Sequence, residues 1–268
     1  MADDDGQAVA LDQDTPAVAE LFGPALPQMV AFHALLADEG VTRGLIGPRE
    51  VPRLWERHLV NSAAVATFLP SEGVVVDVGS GAGLPGVVLA AMRPDLDIVL
   101  LEPMQRRVTW LTDVIARLDL TNARVVRGRA EDLVGAIVAD AVTARAVAPM
   151  DRLGAWTIPL LRQGGVLLAL KGSRANDELT QARDSIAELG GDSGEVLEAA
   201  TVTGGEPTTV VRVRRLAPAL PVRPEAPRGE GAPTSTTRPA PGRGRRPQGG
   251  AGGRSAPRRK RGGAGAPS

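Results

Sequence analysis

One junction constrains the fold of this chain more than any other. Val74-Val75-Val76-Asp77-Val78 reads as a short buried strand, and Gly79, Gly81, Gly83 and Gly86 follow it directly. Leu84 to Met92 then has the pattern of a short helix, closed before Pro94. Glycines at a strand-to-helix turn let the backbone turn tightly and approach a ligand without a Cβ in the way. The free N–H groups of the helix that follows favour a negatively charged ligand group.

The rest of the chain repeats the alternation. Further strands are expected over Asp97–Leu101, Arg124–Arg127, Ala139–Ala144 and Gly165–Leu170. Helices are expected over Met104–Leu118, Pro149–Leu161 and Ala175–Leu189, with a closing hairpin of Val196–Thr203 and Thr208–Arg215 around Gly204-Gly205. This order implies an α/β fold built on a mainly parallel, doubly wound sheet. Upstream the period is helical. Thr15 is placed to cap a helix that begins at Pro16. Its apolar face runs through Leu21, Leu26, Met29, Val30, His33, Leu36 and Ala37, with Pro24 and Pro27 breaking or kinking it. A second helix is expected from Arg49 to Leu69, where Leu54, His58, Leu59, Ala63 and Ala66 share a face and His58 reads as a packing residue.

Composition divides the chain further. The 53 residues of 216–268 hold 10 Pro and 11 Gly, and carry 11 basic against 2 acidic side chains. Residues 1–215 carry 20 basic and 29 acidic side chains, so the overall neutrality is a cancellation of +9 and −9. Such a tail buries too little apolar surface to offset its ordering entropy and is expected to be disordered. The expected division is a flexible acidic segment at 1–14, a helical cap at 15–70, the α/β domain at 71–215 and the Arg/Gly/Pro-rich tail at 216–268. With no Cys there is no disulfide, no thiolate metal site and no cysteine nucleophile. The two histidines, His33 and His58, lie far apart, so no metal is expected. Met1 to Asp5 reads MADDD, unlike a secretory signal, and no apolar run has the length of a membrane span. The expectation is a soluble, cytoplasmic protein.

Two ligands suit the glycine loop. Residues 81–86 match the dinucleotide pattern GxGxxG, with Glu102 at the end of the next strand to accept from ribose hydroxyls. Asp77, two residues before the first glycine, completes instead a pattern that resembles motif I of class I S-adenosylmethionine (AdoMet) methyltransferases. In that resemblance the acid organises the loop around the methionine end. Gly128-Arg129-Ala130-Glu131-Asp132 falls where those enzymes place an acidic loop beside the adenine. Absences narrow the acceptor. Without Cys there is no thiolate for pyrimidine C5 methylation, and Thr143-Ala144-Arg145-Ala146 stands where an Asn/Asp-Pro-Pro-aromatic motif would serve exocyclic amines. Lys171 is the sole lysine of the first 215 residues, too few for the Lys-Asp-Lys-Glu tetrad of many ribose methyltransferases. Aromatic ring nitrogens such as guanine N7 remain; they are nucleophilic without a base.

A longer series of marks occurs in order: Arg57-His58-Leu59-Val60-Asn61-Ser62, the run from Val76 to Ala90, Leu101-Glu102-Pro103 with Arg106-Arg107, Arg129-Ala130-Glu131, Ala144-Arg145-Ala146 and Leu170-Lys171-Gly172. Over about residues 20–215 the chain resembles the bacterial small-subunit rRNA guanine-N7 methyltransferases, the glucose-inhibited division protein B family. The resemblance implies a class I fold and AdoMet-dependent methylation of a guanine N7 in the decoding-centre loop of 16S rRNA. It further implies that Gly79, Gly81 and Leu84 contact AdoMet above Asp77, that Glu102 holds the ribose edge, and that Ala130 and Glu131 lie along the adenine. Arg145 would face the transfer site, serving cofactor or acceptor, and Lys171 would contact a phosphate. Arg106 and Arg107 are further RNA candidates. A small-molecule methyltransferase sharing only the AdoMet half, or a non-catalytic rRNA-binding assembly factor, are the other readings. Against the family pattern, the cap reads ADEGVTRGLIGP from Ala37 to Pro48 in place of an aromatic, Asn-rich segment, and there is no Tyr to stack on bases. The RGRR (243–246) and RRKR (258–261) clusters of the tail suit non-specific phosphate contact.

Overall fold

The computed structural model describes residues 11–203 and 205–218. The expected flexibility of residues 1–10 and disorder of 219–268, and Gly204 of the hairpin turn, lie outside the described residues.

The alternating pattern folds into one seven-stranded sheet. The strands are β1 (Gly73–Val78), β2 (Leu96–Glu102), β3 (Ala123–Arg127), β4 (Ala139–Arg145), β5 (Leu161–Lys171), β6 (Glu195–Ala199) and β7 (Thr208–Arg214). Their order across the sheet is β3-β2-β1-β4-β5-β7-β6. The first five run parallel, and β7 pairs antiparallel with both β5 and β6. The chain therefore leaves β1 toward one edge and returns at β4 on its other side. That reversal opens a crevice at the carboxyl ends of β1 and β4, the place where such sheets bind ligands.

Parallel strands are covered on both faces, which is why β1 and β2 are continuous apolar runs. The pleat sends alternate residues to different cores. Val75, Ile98 and Leu100 join a cluster beneath the N-terminal helices, while Val76, Val99 and Leu101 join one on the opposite face. α4 (Gly86–Met92) and α5 (Gln105–Arg117) cover the first face, and α6 (Met150–Thr157) and α7 (Ala175–Glu188) the second. In α7 the buried residues Ala175, Leu179, Ala182 and Ile186 recur every three or four positions, as a one-sided helix requires.

The N-terminal elements pack into the first core through Val18, Phe22, Met29, Phe32, Leu36, Leu54 and Leu59. α1 (Pro16–Phe22) and α2 (Leu26–Glu39) are separated by a tight turn at Gly23–Ala25, where Pro24 removes a donor. Thr15 occupies the N-cap position, but its hydroxyl bonds Asp12 Oδ1 at 2.8 Å rather than the helix. Asp12, Asp14 and Thr15 thus form a hydrogen-bonded turn ahead of α1. The expected helix over 49–69 is not one α-helix. It is a tight turn at Pro48–Arg53, a wide π turn at Leu54–Val60, one α-turn (α3, Asn61–Ala64) and a tight end at Val65–Phe68. Pro52 removes a helical donor near its start, and the π register spaces residues differently from an α-helix. At the other end, Leu216 and Ala217 donate to Gly190 O, and the buried Arg215 holds Ile158 O at 2.7 Å. Leu216 and Ala217 thus hydrogen-bond to the α/β domain just beyond its expected end at 215.

Candidate active site

The glycine loop is anchored from below. Gly79 N and Ser80 N both donate to Leu101 O, tying β1's exit to β2. Gly79 and Gly81 have φ of +72° and +56°, the left-handed region that side chains rarely adopt. A Cβ on Gly79 would stand 3.0 Å from Val147, so the loop and the β4 exit pass in contact. Trp110 of α5 donates its indole N–H to Ala82 O at 2.9 Å, a brace that the sequence reading missed because it spans two elements.

Asp77 lies under this loop, not in the crevice. It is 1% exposed, and its carboxylate accepts from Gly86 N at 3.1 Å and from Thr143 Oγ1 at 3.1 Å. A Cβ at Gly86 would collide with Leu100 and Asp77, so this glycine serves packing. Asp77, expected to organise the loop around the bound molecule, holds that loop from beneath and does not border the cavity, because its position on β1 turns it into the sheet–helix layer. Burial pushes its pKa up to about 6, against the pull of Ser80, Thr143, Gly86 and the Arg145 charge. An acid whose pKa is raised by folding stabilises the fold in its protonated form. Stability from this group is gained below about pH 6 and lost as pH rises from about 4 to 6, at up to about 1.4 kcal/mol per pH unit. Urea unfolding across that window should show the slope in the wild type and not in Asp77→Asn; equal slopes would show that Asp77 titrates normally.

Glu102, also 1% exposed, closes the end of β2. Its two oxygens accept from Gly81 N at 3.0 Å and Met104 N at 2.9 Å, linking the glycine loop to the next loop. Arg107 NH1 stands 3.7 Å from the same carboxylate, with its Nε buried and unpartnered. Arg107 thus belongs to the crevice wall, whereas Arg106 is exposed on the same helix.

These groups line a cavity of about 610 Å³, within the usual range for small-molecule sites. Gly79, Gly81, Leu84, Glu102, Ala130, Glu131 and Arg145 all border it. Ala130 is buried and Glu131 exposed, at the head of a short turn, Ala130–Leu133. Trp156 of α6 also borders the cavity, with the Arg152 guanidinium 5.1 Å from its ring centroid. No spacing in the sequence pointed to that indole.

A second cavity of about 1000 Å³ adjoins the first, and Glu50, His58, Arg145, Ala146 and Val147 border both. Its remaining wall includes the exposed Arg57 and Arg174 together with Lys171. Arg145 ends β4 where the two meet. Ala146 follows with φ +54°, a strained conformation for a residue with a Cβ and one concentrated at functional sites. Arg145 NH1 donates to Arg57 O at 3.2 Å, and NH2 to His58 Nδ1 at 2.9 Å. Lys171 is committed within the fold: its ammonium bonds Ala148 O at 2.6 Å and Glu178 at 2.8 Å. These bonds brace the β4 loop, β5 and α7 and use two of the three ammonium donors, while Lys171 still borders the second cavity. His58, read as packing, also borders both cavities.

A family model described as rRNA small subunit methyltransferase G matches residues 25–203. A "Ribosomal RNA small subunit methyltransferase G" of Thermobifida fusca is 55% identical over 200 residues, 74% of this chain and 83% of the relative. The chain belongs to the rRNA small subunit methyltransferase G family. Within that family, a Beutenbergia cavernae relative of the same description is 52% identical over 207 residues, 77% of this chain and 98% of its own length. Among solved structures, an S-adenosyl-L-methionine-dependent methyltransferase structure from Methanococcus maripaludis superposes with a TM-score of 0.50 at 14% identity. The match covers 68% of this chain and 92% of that one, and shows that this member of the methyltransferase G family has the methyltransferase fold. No helix among the described residues is long and apolar enough to cross a membrane.

Proposed function

We propose that the protein is an AdoMet-dependent rRNA methyltransferase that modifies N7 of a guanine in the decoding-centre loop of 16S rRNA. The observation that carries this reading is the pair of joined cavities, one edged by the glycine loop and Glu102, the other by arginines, meeting at Arg145. Family membership and relatives named for small-subunit rRNA support the substrate.

The residues present fit AdoMet. Gly79 and Gly81 border the cavity in a left-handed conformation that keeps the backbone open to a ligand, and Glu102 is an acceptor suited to ribose hydroxyls. Ala130 and Trp156 offer apolar surface for an adenine, and Glu131 an acceptor at its edge. AdoMet supplies a methyl group on a cationic sulfur, which leaves as a neutral thioether when a lone pair takes the methyl. Guanine N7 has such a lone pair and loses no proton. This chain's work is then alignment and charge placement rather than base catalysis. Arg145 suits guanine O6, the edge beside N7. Arg57 and Arg174, exposed at the mouth of the second cavity, suit the flanking phosphates.

The test is a methylation map of 16S rRNA from strains with and without the gene. Loss of one N7-methylguanine on deletion, restored by the wild-type gene, is the expected result. Unchanged 16S methylation overturns the substrate, and activity on a small-molecule panel alone would support the second reading named above.

A further inference from the structure

His58 sits in a hydrogen-bonded chain that dictates its protonation. Its Nε2 lies 2.8 Å from Glu50 Oε2 and its Nδ1 2.9 Å from Arg145 NH2. Guanidinium groups only donate, so Nδ1 must carry a lone pair; an ionised carboxylate only accepts, so Nε2 must carry the proton. Both bonds are made together in the neutral Nε2–H tautomer alone. Glu50 comes from the turn at Pro48–Arg53, His58 from the π turn and Arg145 from β4, so three separate elements converge on one imidazole. We propose that neutral His58 is a positioning residue that aims Arg145 at the acceptor, and that its protonation disables methyl transfer.

The charges around it favour that arrangement at neutral pH. Burial holds the His58 pKa below 6.5, Arg145 and Arg57 act in the same sense, and Glu50 opposes them. Behind Arg145 stands Asp77 of β1, and across the second cavity stand Lys171, paired with Glu178, and Arg174. When His58 gains a second proton, Nδ1–H faces the guanidinium N–H and the acceptor is lost. Arg145 then keeps only the carbonyl of Arg57 among its hydrogen bonds. The sign is fixed: turnover falls on the acid side of the His58 pKa and is level above it.

The catalytic part rests on the proposed rRNA reading, and the geometric part does not. With just two histidines in the chain, ¹⁵N NMR of the full-length protein can resolve the His58 tautomer and titration directly. The bare-Nδ1 tautomer is expected, with the pKa rising in Arg145→Ala. A protonated Nδ1, or a titration untouched by Arg145→Ala, overturns the proposal whatever the substrate. In methylation assays, His58→Ala should lower kcat by at least roughly tenfold with the KM for AdoMet unchanged. His58→Asn retains an acceptor toward Arg145 that cannot protonate. It should restore most of kcat and abolish the acid limb. Wild-type turnover in His58→Ala overturns the proposal, as does an acid limb that survives in His58→Asn, which would assign the titration to Asp77. A wild-type protein inactive on small subunits, but showing the expected NMR behaviour, overturns the substrate reading and leaves the His58–Arg145 coupling standing.

Discussion

Replacing Glu102 with alanine should weaken AdoMet binding by about 1–3 kcal/mol, a rise in Kd of roughly five- to more than a hundredfold. The carboxylate already makes two charge-assisted bonds, to Gly81 N and Met104 N, from a position 1% exposed. On the proposed reading, removing it strips the ribose of its acceptor, and it leaves two loop N–H groups without a partner at the cavity wall. It also frees Arg107, whose guanidinium lies 3.7 Å from the same carboxylate. Calorimetry with AdoMet reads the loss. Glu102→Gln, which keeps an acceptor oxygen but loses the charge, should fall between wild type and alanine. An alanine variant that binds AdoMet like the wild type would remove Glu102 from the cofactor site.

Arg145→Ala should lower kcat on small subunits by roughly a hundredfold while the KM for AdoMet stays within about threefold. The guanidinium stands where the two cavities join, held by His58 and by Arg57 O, with Asp77 and Glu50 supporting its charge. A group fixed at a junction acts on alignment, and misplacement of reacting atoms by an ångström is reflected in turnover more than in cofactor affinity. Steady-state kinetics with purified small subunits separates the two parameters. The opposite pattern, with AdoMet KM raised and kcat intact, would move Arg145 from the acceptor to the cofactor. Arg145→Lys should recover little of the loss, because an ammonium cannot reach both His58 Nδ1 and the Arg57 carbonyl in a planar fork.

Much of the fold was legible because its determinants are local. The Val74–Val78 run ahead of glycines marked a strand entering a turn, and β1 spans Gly73–Val78. The helix expected over Ala175–Leu189 is α7, which ends one residue earlier at Glu188. The segment over 49–69 was less legible. Helical periodicity shows that residues coil, but no local spacing encodes the widening to a π turn at Leu54–Val60, which packs against α2.

In the site, the division follows sequence distance. Glycines and a strand-ending acid are readable because turn and strand period place them at the same sheet edge in any doubly wound fold. Which way a side chain leaves that edge is decided by partners far along the chain. Asp77 meets Thr143, 66 residues on, and turns inward. Lys171 meets Ala148 and Glu178, which brace it against the β4 loop and α7. His58 meets Arg145 across 87 residues, beyond the packing role its helical face suggested. The sequence by itself determined a parallel sheet with a glycine-lined crevice and an acid beside it, since backbone period and glycine sterics act over a few residues. The tertiary structure alone decided which charged groups are free to meet a ligand, since hydrogen bonds and desolvation depend on neighbours that only folding brings within 3 Å.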